Sequence, residues 1–342
     1  MMRFRLNFGT LLLLAAGPAA AQTTPYADHH QHLVSPATVA LLEAAASGPA
    51  ALRLASAPKP ITAADLIPLL DEAGIRRAVV LSVAYMIGSP ALDVEDEYER
   101  VKAENDWTGA EAARYPGRLR AFCSVNPLKS YALREITRCA RDPRLWNGLK
   151  LHFGNSDVQV HDRDHVERLR QVFAQANRHR MAIVVHLRGS VARHRPHGRA
   201  EAEIFLEEIL PAAPDVPVTL AHLAGAGDYD ASHTDAALEV FTDAVARGDP
   251  RVANVWFDVT AVARPGLAGD KAELIVIRLR QLGMERLLYG SDAATAAHLA
   301  PRAGWAAFRL LPLSEMEIRR VAANVAPYLR DPVLGANDGK QR

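Results

Sequence analysis

The stretch Ala27-Asp28-His29-His30-Gln31-His32-Leu33-Val34 is the first of eight short apolar or β-branched runs that predict β-strands. Amphipathic patterns with the three-to-four spacing of helices separate these runs. The seven later runs are residues 77–84, 118–125, 148–153, 182–187, 218–223, 253–260 and 286–292. Because parallel neighbours need a crossover helix, this alternation predicts a parallel sheet, and eight units predict a closed α/β structure, the (β/α)8 TIM barrel. The main alternative is a doubly wound open sheet, which usually has a glycine-rich first turn. Here the first turn is rich in histidine instead.

Length and composition fit one barrel domain. The chain has 342 residues, of which 49% are hydrophobic and 23% are charged, as in ordinary globular proteins. Since no linker or change of composition divides it, a single domain is predicted over residues 22–332, followed by a C-terminal tail at residues 333–342. The Ala- and Pro-rich stretch from Ser35 to Pro60 is interpreted as an enlarged loop after the first strand.

The N-terminus has the features of a secretory signal peptide. Arg3 and Arg5 form a basic region, residues 11–16 form a short apolar core, and Ala19-Ala20-Ala21 matches an A-x-A cleavage site. The apolar run is much shorter than the roughly 20 residues that span a bilayer. The sequence therefore predicts cleavage after residues 1–21 and an exported chain, periplasmic or secreted, without a membrane span.

The predicted mature chain is almost neutral. Removing residues 1–21 takes away two of the 40 basic residues and none of the 39 acidic ones, which leaves 38 − 39 = −1. Nucleic acids and anionic membranes require a concentrated positive field, so neither is predicted as a partner. A small-molecule substrate is predicted, and a homo-oligomer is compatible with the sequence.

Cys123 and Cys139 are the only two cysteines, too few for a disulfide scaffold. Both fall on faces that are predicted to be buried between a strand and the following helix. Burial as small apolar residues is the favoured interpretation. A single bridge is the alternative, and an oxidising compartment would permit it.

Histidines and aspartates fall at the C-terminal ends of the predicted strands, where barrel enzymes build their active sites. His30 and His32 lie two residues apart on the first strand, so both side chains point to the same side. Two neutral imidazoles side by side form a metal chelate. His186, His222 and Asp292 end the fifth, sixth and eighth strands.

These polar residues recur once per strand-and-helix unit. From His152 at the end of the fourth strand, the steps are 34 residues to His186, 36 to His222, 36 to Asp258 and 34 to Asp292. A barrel would bring such residues together around one axis. Imidazoles with a carboxylate suit Zn²⁺ or another borderline divalent ion, so the sequence predicts a metal site.

The pattern resembles the amidohydrolase superfamily over nearly all of the mature chain. The resemblance rests on His30-Gln31-His32 with His186, His222 and Asp292, and the strand Gly148–His152 is similar to the amidohydrolase-related branch. It implies His30, His32, His186 and Asp292 as metal ligands, with His222 beside the metal or on a second one. That branch contains hydrolases of lactones and amides as well as metal-dependent decarboxylases.

Lys150 decides the predicted number of metals. In binuclear relatives a carboxylated lysine at the end of the fourth strand bridges two ions, but Lys150 lies two residues before His152 and would be deeper in the barrel. One divalent ion is therefore favoured, Zn²⁺ ahead of Mn²⁺ or Fe²⁺, and two ions are expected if Lys150 is carboxylated. The alternative for Lys150 is a buried ion pair with Asp258 or Asp292.

The function predicted from this site is hydrolysis of a lactone, amide or ester bond by a metal-activated water. Asp292 would act as general base and then as general acid, and His222 would polarise the scissile carbonyl. Predicted substrate-binding residues are His152, Arg188 and Asp258, with Arg188 as the anchor for a carboxylate. The first alternative is decarboxylation of an aromatic or muconate-type acid with the same ligands, and the second is an exported metal-binding barrel without catalysis.

Overall fold

The computed structural model describes residues 23–46, 59–145, 147–227, 229–230, 232–293 and 299–330. The predicted signal segment at residues 1–21 and the predicted tail at residues 333–342 lie outside these ranges. No helix among the described residues is long and apolar enough to cross a membrane.

Eight parallel strands follow one another in chain order around a barrel. They are β1 (Ala27–His32), β2 (Arg77–Leu81), β3 (Leu119–Ser124), β4 (Gly148–His152), β5 (Ala182–His186), β6 (Val218–Leu220), β7 (Val255–Asp258) and β8 (Leu287–Leu288). Two backbone hydrogen bonds link β1 to the end of β8: His29 N–H donates to Tyr289 O, and Asp292 N–H donates to His30 O, each at 2.8 Å. All eight predicted strands are thus confirmed, together with their parallel arrangement.

Helices cover the outside of the strands. Within the described residues they are α1 (Pro36–Ala46), α2 (Ala63–Glu72), α3 (Ala84–Ile87), α4 (Glu97–Ala113), α5 (Ala132–Ala140), α6 (Phe153–Ser156), α7 (Arg163–Arg178), α8 (Arg199–Ile204), α9 (Thr234–Ala246), α10 (Gly269–Leu282), α11 (Pro301–Phe308) and α12 (Glu315–Ala323). The interpretation of residues 35–60 as a loop was wrong in its first part, because α1 forms there and buries Val39 and Leu42. Residues 47–58 lie outside the described ranges.

The N-terminal end of the barrel is filled by large side chains. Phe122 on β3 occupies the space beside Gly148 on β4, where an added Cβ would lie 2.2 Å from the Phe122 ring. Tyr328, from the turn Pro327–Leu329 after the last helix, packs edge-on against Phe122 with ring centroids 5.1 Å apart. Its hydroxyl lies 3.2 Å from Thr219 Oγ1. The interior of the barrel is therefore a packed core at this end, and the catalytic site is expected at the other end.

A bulge in β1 orients the histidine pair. Asp28 lies opposite Ala78, but Gln31 lies opposite Val80, so β1 contains one extra residue at this point. The Asp28 carboxylate stabilises the bulge, because it accepts hydrogen bonds from His30 N–H at 3.0 Å and from Gln31 Nε2 at 2.7 Å. The bulge allows the side chain of His30 to reach across the barrel to β7.

Cys123 on β3 and Cys139 on α5 form a disulfide, with Cα atoms 6.2 Å apart. The favoured prediction of two free buried thiols was therefore wrong. The strand and helix do pack face to face as predicted, and this packing brings the two Cα atoms within the range that a disulfide spans.

Removal of this bridge is expected to lower the free energy of unfolding by about 3 kcal/mol, because it closes a short loop in the unfolded chain. Urea denaturation of the double variant Cys123→Ala/Cys139→Ala, beside the wild type with and without reductant, measures the effect. Equal midpoints for the oxidised wild type and the double variant would show that the bridge contributes no stability.

Candidate metal centre and active site

Three buried side chains meet at the C-terminal end of the barrel. His30, His222 and Asp292 each offer one ligand atom, and these atoms lie within 4.8 Å of one another. They come from β1 and from the turns that follow β6 and β8. His32 adjoins the group, with its Nε2 atom 3.7 Å from Asp292 Oδ1. The structure thus brings together four of the side chains that the sequence predicted for this site.

Left-handed turns direct two of these side chains into the site. His222 and Asp292 have φ values of 54° and 52°, a region that few residues other than glycine occupy. Both fall just after their strands, which are shorter than predicted at this end. Gly290 permits the close approach of β8, because an added Cβ would lie 2.3 Å from Thr260 Oγ1 and 2.8 Å from His30 Cβ. Backbone strain of this kind concentrates at functional sites.

Hydrogen bonds to Nδ1 fix the protonation of three imidazoles. His32 Nδ1 lies 2.7 Å from Leu81 O, and His222 Nδ1 lies 3.2 Å from Thr260 O. His30 Nδ1 lies 2.9 Å from Asp258 Oδ2. Since an oxygen of this kind accepts, each Nδ1 carries the proton and each Nε2 keeps its lone pair. This is the form of imidazole that binds a metal.

Asp258 orients the site from behind. Its Oδ2 accepts from His30 Nδ1, while its Oδ1 accepts from the backbone N–H of His222 at 2.8 Å and of Thr260 at 3.2 Å. Burial raises its pKa, but the electrostatic interaction and hydrogen bond with His30 and the interaction with His222 outweigh burial, so the pKa lies well below its ordinary value. Asp258 was predicted to bind substrate. In the structure it lies behind the histidines, and both of its carboxylate oxygens accept hydrogen bonds from the site itself.

Burial keeps the imidazoles neutral. It lowers the pKa of His222 to about 4 and that of His32 to about 3, against the attraction of nearby aspartates. Burial likewise lowers the pKa of His186 well below its ordinary value. Neutral imidazoles are required for metal binding, so the electrostatics of the site agree with the hydrogen bonds.

Lys150 lies inside the site. Its Nζ is 3.3 Å from His30 Nε2, so the lysine reaches the metal-ligand side of that ring. Burial lowers the pKa of Lys150 to about 8, although Asp258 and Asp292 attract its positive charge. Although Lys150 lies two residues before His152, its side chain thus reaches the ligand cluster. Whether Lys150 becomes carboxylated and bridges two ions stays a prediction.

His152 and His186 form a second pair at the mouth of the site. Their rings are stacked 3.9 Å apart at 10°, and the ring centroid of His186 is 5.1 Å from that of His222. The cluster of three ligand atoms described above does not include His186, so its metal-ligand role stays a prediction. Tyr85, which follows β2, lies 5.0 Å from the His152 ring. Sequence reasoning missed Tyr85, although it also follows a strand end.

His152 differs from the other imidazoles in protonation. Its Nδ1 accepts the backbone N–H of Asn155 at 3.1 Å and so caps the short helix α6. An accepting Nδ1 carries no proton, so Nε2 must carry it. His152 therefore presents an N–H donor, which suits a substrate oxygen and not a metal ion.

Arg188, the predicted anchor for a substrate carboxylate, follows β5. Its side chain is 13% exposed, and its Nη2 lies 3.8 Å from Asp230 Oδ2, a distance too long for a hydrogen bond. The guanidinium group thus keeps donors for another anion. Its role in substrate binding stays a prediction.

The donor set fits a divalent metal. Two buried imidazoles and one buried carboxylate converge, and a third imidazole adjoins them. A second group, Cys123, Glu135 and Cys139, also lies close together. Its two sulfur atoms are joined in the disulfide, so they do not provide thiolate ligands.

The chain belongs to the amidohydrolase family, whose profile matches residues 27–326. This match confirms the resemblance drawn from the sequence. No curated protein matches the sequence.

Solved structures share the fold at low sequence identity. The chain is similar to 5-carboxyvanillate decarboxylase from Novosphingobium aromaticivorans with bound manganese, with a TM-score of 0.60, 12% identity, and coverage of 89% of this chain and 96% of that one. A probable 2-pyrone-4,6-dicarboxylic acid hydrolase from Acinetobacter baumannii has a TM-score of 0.54 at 16% identity, covering 88% and 96%. An amidohydrolase from Burkholderia multivorans with bound zinc has a TM-score of 0.53 at 14% identity, covering 87% and 95%. Family membership and these neighbours support divalent metal binding.

Proposed function

We propose that this chain is a metal-dependent decarboxylase of a small aromatic or muconate-type carboxylic acid. The proposal rests on the burial of the reacting groups, because His32, His222 and Asp292 are only 5%, 4% and 5% exposed. A site that excludes solvent removes the hydration shell of a bound carboxylate, and this desolvation favours loss of the group as CO2. Hydrolysis, in contrast, needs a water molecule beside the scissile bond.

Donors at the mouth suit an anionic substrate. His152 offers its Nε2–H, and Arg188 offers a guanidinium group that forms a long ion pair with Asp230, at 3.8 Å. One of the two aspartates of the site, Asp258, is already occupied by His30 and His222. Two donor groups therefore lie where an acid would enter, and such donors favour a carboxylate.

The reaction exchanges a carboxylate for hydrogen, R–COO⁻ + H⁺ → R–H + CO2. The C–C bond breaks, its electron pair stays on the substrate carbon, and that carbon takes up a proton. A divalent ion held by His30, His222 and Asp292 would polarise the oxygens of the bound acid. Asp292 in its acid form would deliver the proton. His32 lies beside this carboxyl group, with its Nε2 atom 3.7 Å from Asp292 Oδ1.

The structural comparisons also support this choice. The comparison of this chain with the manganese-containing decarboxylase gives a TM-score of 0.60, whereas the comparison with the probable pyrone hydrolase gives 0.54. The neighbours contain manganese or zinc. Because the donor set is rich in imidazole, we propose Zn²⁺, with Mn²⁺ as the alternative.

Hydrolysis of a lactone, amide or ester is the second candidate. It is favoured by the position of His222 beside Asp292, because the imidazole could polarise a carbonyl while the carboxylate takes the proton of an attacking water. Asp292 would then return that proton to the leaving group.

Product analysis separates the two reactions. Metal-loaded protein is incubated with a panel of ¹³C-carboxyl aromatic acids and a panel of lactones, and the products are followed by NMR. Labelled CO2 or bicarbonate supports decarboxylation, and ring opening without CO2 would overturn it in favour of hydrolysis. If metal-loaded protein turns over neither panel, the proposed decarboxylase activity fails, and a metal-binding barrel without catalysis becomes the better explanation.

Two substitutions at His152 test its role as a donor to the substrate. Asn keeps an acceptor near the position of Nδ1, so it should preserve the cap of α6 but lose the donor. Gln places its amide near Nε2, so it should keep the donor but lose the cap. We expect His152→Asn to raise KM about tenfold or more, because a hydrogen bond to a charged group contributes roughly 1.5–3 kcal/mol.

The matching variant, His152→Gln, should keep KM within a few-fold and lose about 1 kcal/mol of stability with the helix cap. Steady-state kinetics and urea denaturation of both variants measure these effects. An unchanged KM for His152→Asn would mean that His152 only caps α6.

Metal number and cellular location are also part of the proposal. Elemental analysis should give one ion per chain, and two ions would implicate carboxylated Lys150. We propose that the protein is exported, as its N-terminal sequence predicts, and the Cys123–Cys139 disulfide supports an oxidising compartment. Cell fractionation of the full-length chain tests this location.

A further inference from the structure

A cavity of about 640 Å³ lies at the N-terminal end of the barrel, opposite the metal centre. Arg77 at the start of β2, Arg286 just before β8, Arg320 on α12 and Arg330 after the final turn line it, and Glu285 is the acidic residue among the described residues of the lining. The chain as a whole has 40 basic and 39 acidic residues. The cavity therefore concentrates positive charge in a molecule that is otherwise balanced.

Backbone carbonyls hold several of these guanidinium groups. Arg286 Nη1 donates to Val252 O at 2.8 Å and to Val255 O at 3.2 Å. Arg330 Nε donates to Val325 O at 3.0 Å. These contacts order the side chains without neutralising them, because a carbonyl carries no net charge.

Three of the four lining arginines also have no carboxylate partner among the described residues. In the described part of the chain, neither Arg286, Arg320 nor Arg330 forms an ion pair. Nearby arginines behave differently: Arg280, which projects from α10 towards α12, pairs with Glu317 at 2.7 Å. Guanidinium groups without carboxylate partners in one concavity are a usual means of binding an oxyanion.

We propose that this cavity binds a small anion with two or more negative charges, either a polycarboxylate or a phosphate. The shared chemistry is a set of oxygens that accept from several guanidinium groups at once. Trp256, half-buried in the cavity wall, adds an apolar surface that suits an organic anion. The site is independent of the proposed activity, since its lining includes none of the residues assigned to catalysis.

The anion would contact the segment that closes this end of the barrel. Leu329 and Arg330 line the cavity, and Ala326 in the same segment donates its N–H to His29 Nε2 at 3.2 Å. Asn324, also in the lining, donates to Met284 O and Leu287 O at 2.7 Å each. An anion that binds only the folded chain should therefore raise its melting temperature.

Titration of the metal-loaded protein with citrate and with inorganic phosphate tests the site. Isothermal calorimetry at low ionic strength gives the affinities, and thermal melts give the shift. Arg320→Glu alters an exposed side chain, so the fold should be retained, and we expect at least about tenfold weaker binding from charge reversal. The control is Arg319→Glu, the same change at the neighbouring exposed residue outside the cavity lining.

The comparison of the two probes identifies the anion class. Tighter binding of citrate points to a polycarboxylate, and tighter binding of phosphate points to a phosphorylated ligand. Arg286→Lys, which keeps the charge but loses the bidentate fork, should weaken binding of the preferred probe several-fold. If Arg320→Glu and Arg319→Glu bind both probes as the wild type does, the proposal is overturned, and any binding then belongs to the metal centre.

Discussion

Replacement of Asp292 by Asn is expected to lower kcat by about a thousandfold, in the upper part of the range for loss of a general acid or base. The carboxylate is one of three converging ligand atoms and is the group proposed to transfer the proton. An amide has nearly the same shape but cannot transfer that proton. The rate is measured with the substrate that product analysis identifies, at saturating metal, so that weaker metal binding does not account for the loss.

Asp270→Asn is the matched control, because Asp270 is exposed in the first turn of α10. It should keep full activity. Circular dichroism of Asp292→Asn should match the wild type, since Asn has nearly the same size and shape as Asp. Turnover of Asp292→Asn within tenfold of the wild type would remove Asp292 from the proton-transfer step.

Replacement of Asp258 by Asn should weaken metal binding by about tenfold to a hundredfold, the usual effect of losing a group that orients a metal ligand. One carboxylate oxygen accepts from His30 Nδ1, and the other accepts from the backbone N–H of His222 and Thr260. An amide has a single acceptor oxygen. The NH2 group of the new amide must therefore face either the N–H of the His30 ring or the backbone N–H groups of His222 and Thr260. Because two donors repel, either the His30 ring or the backbone at His222 would move.

Competition with a chromophoric chelator measures the metal affinity of this variant. Because Asp258 acts through the histidines, excess metal should restore much of kcat, whereas it should not rescue Asp292→Asn. Equal metal affinities for Asp258→Asn and the wild type would mean that Asp258 does not position the ligands.

The sequence was sufficient to predict the barrel and the membership of most of the site. Strand and helix alternate regularly, and polar residues recur once per unit, so His30, His222 and Asp292 could be placed at one end before any contact was known. His30 and His32 also point to the same side, as their spacing of two residues predicts. These features are encoded locally, by hydrophobic period and by position relative to a strand end.

Other features depend on long-range contacts and could not be predicted. The roles of His152 and Asp258 follow from which atoms they meet, namely the N–H of Asn155 and the imidazole of His30. The Cys123–Cys139 bridge depends on how closely α5 approaches β3, which a burial pattern does not specify. The left-handed turn at His222 has no glycine to mark it.

The closure of the barrel between β1 and β8 also determines when the metal centre can exist. His30 belongs to the first strand, and Asp292 donates its backbone N–H to His30 O only once the last strand has docked. A nascent or truncated chain that lacks the eighth unit also lacks Asp292, the carboxylate of the ligand cluster. Metal affinity is therefore a property of the completed fold, and uptake of the ion reports that the two ends of the barrel have joined.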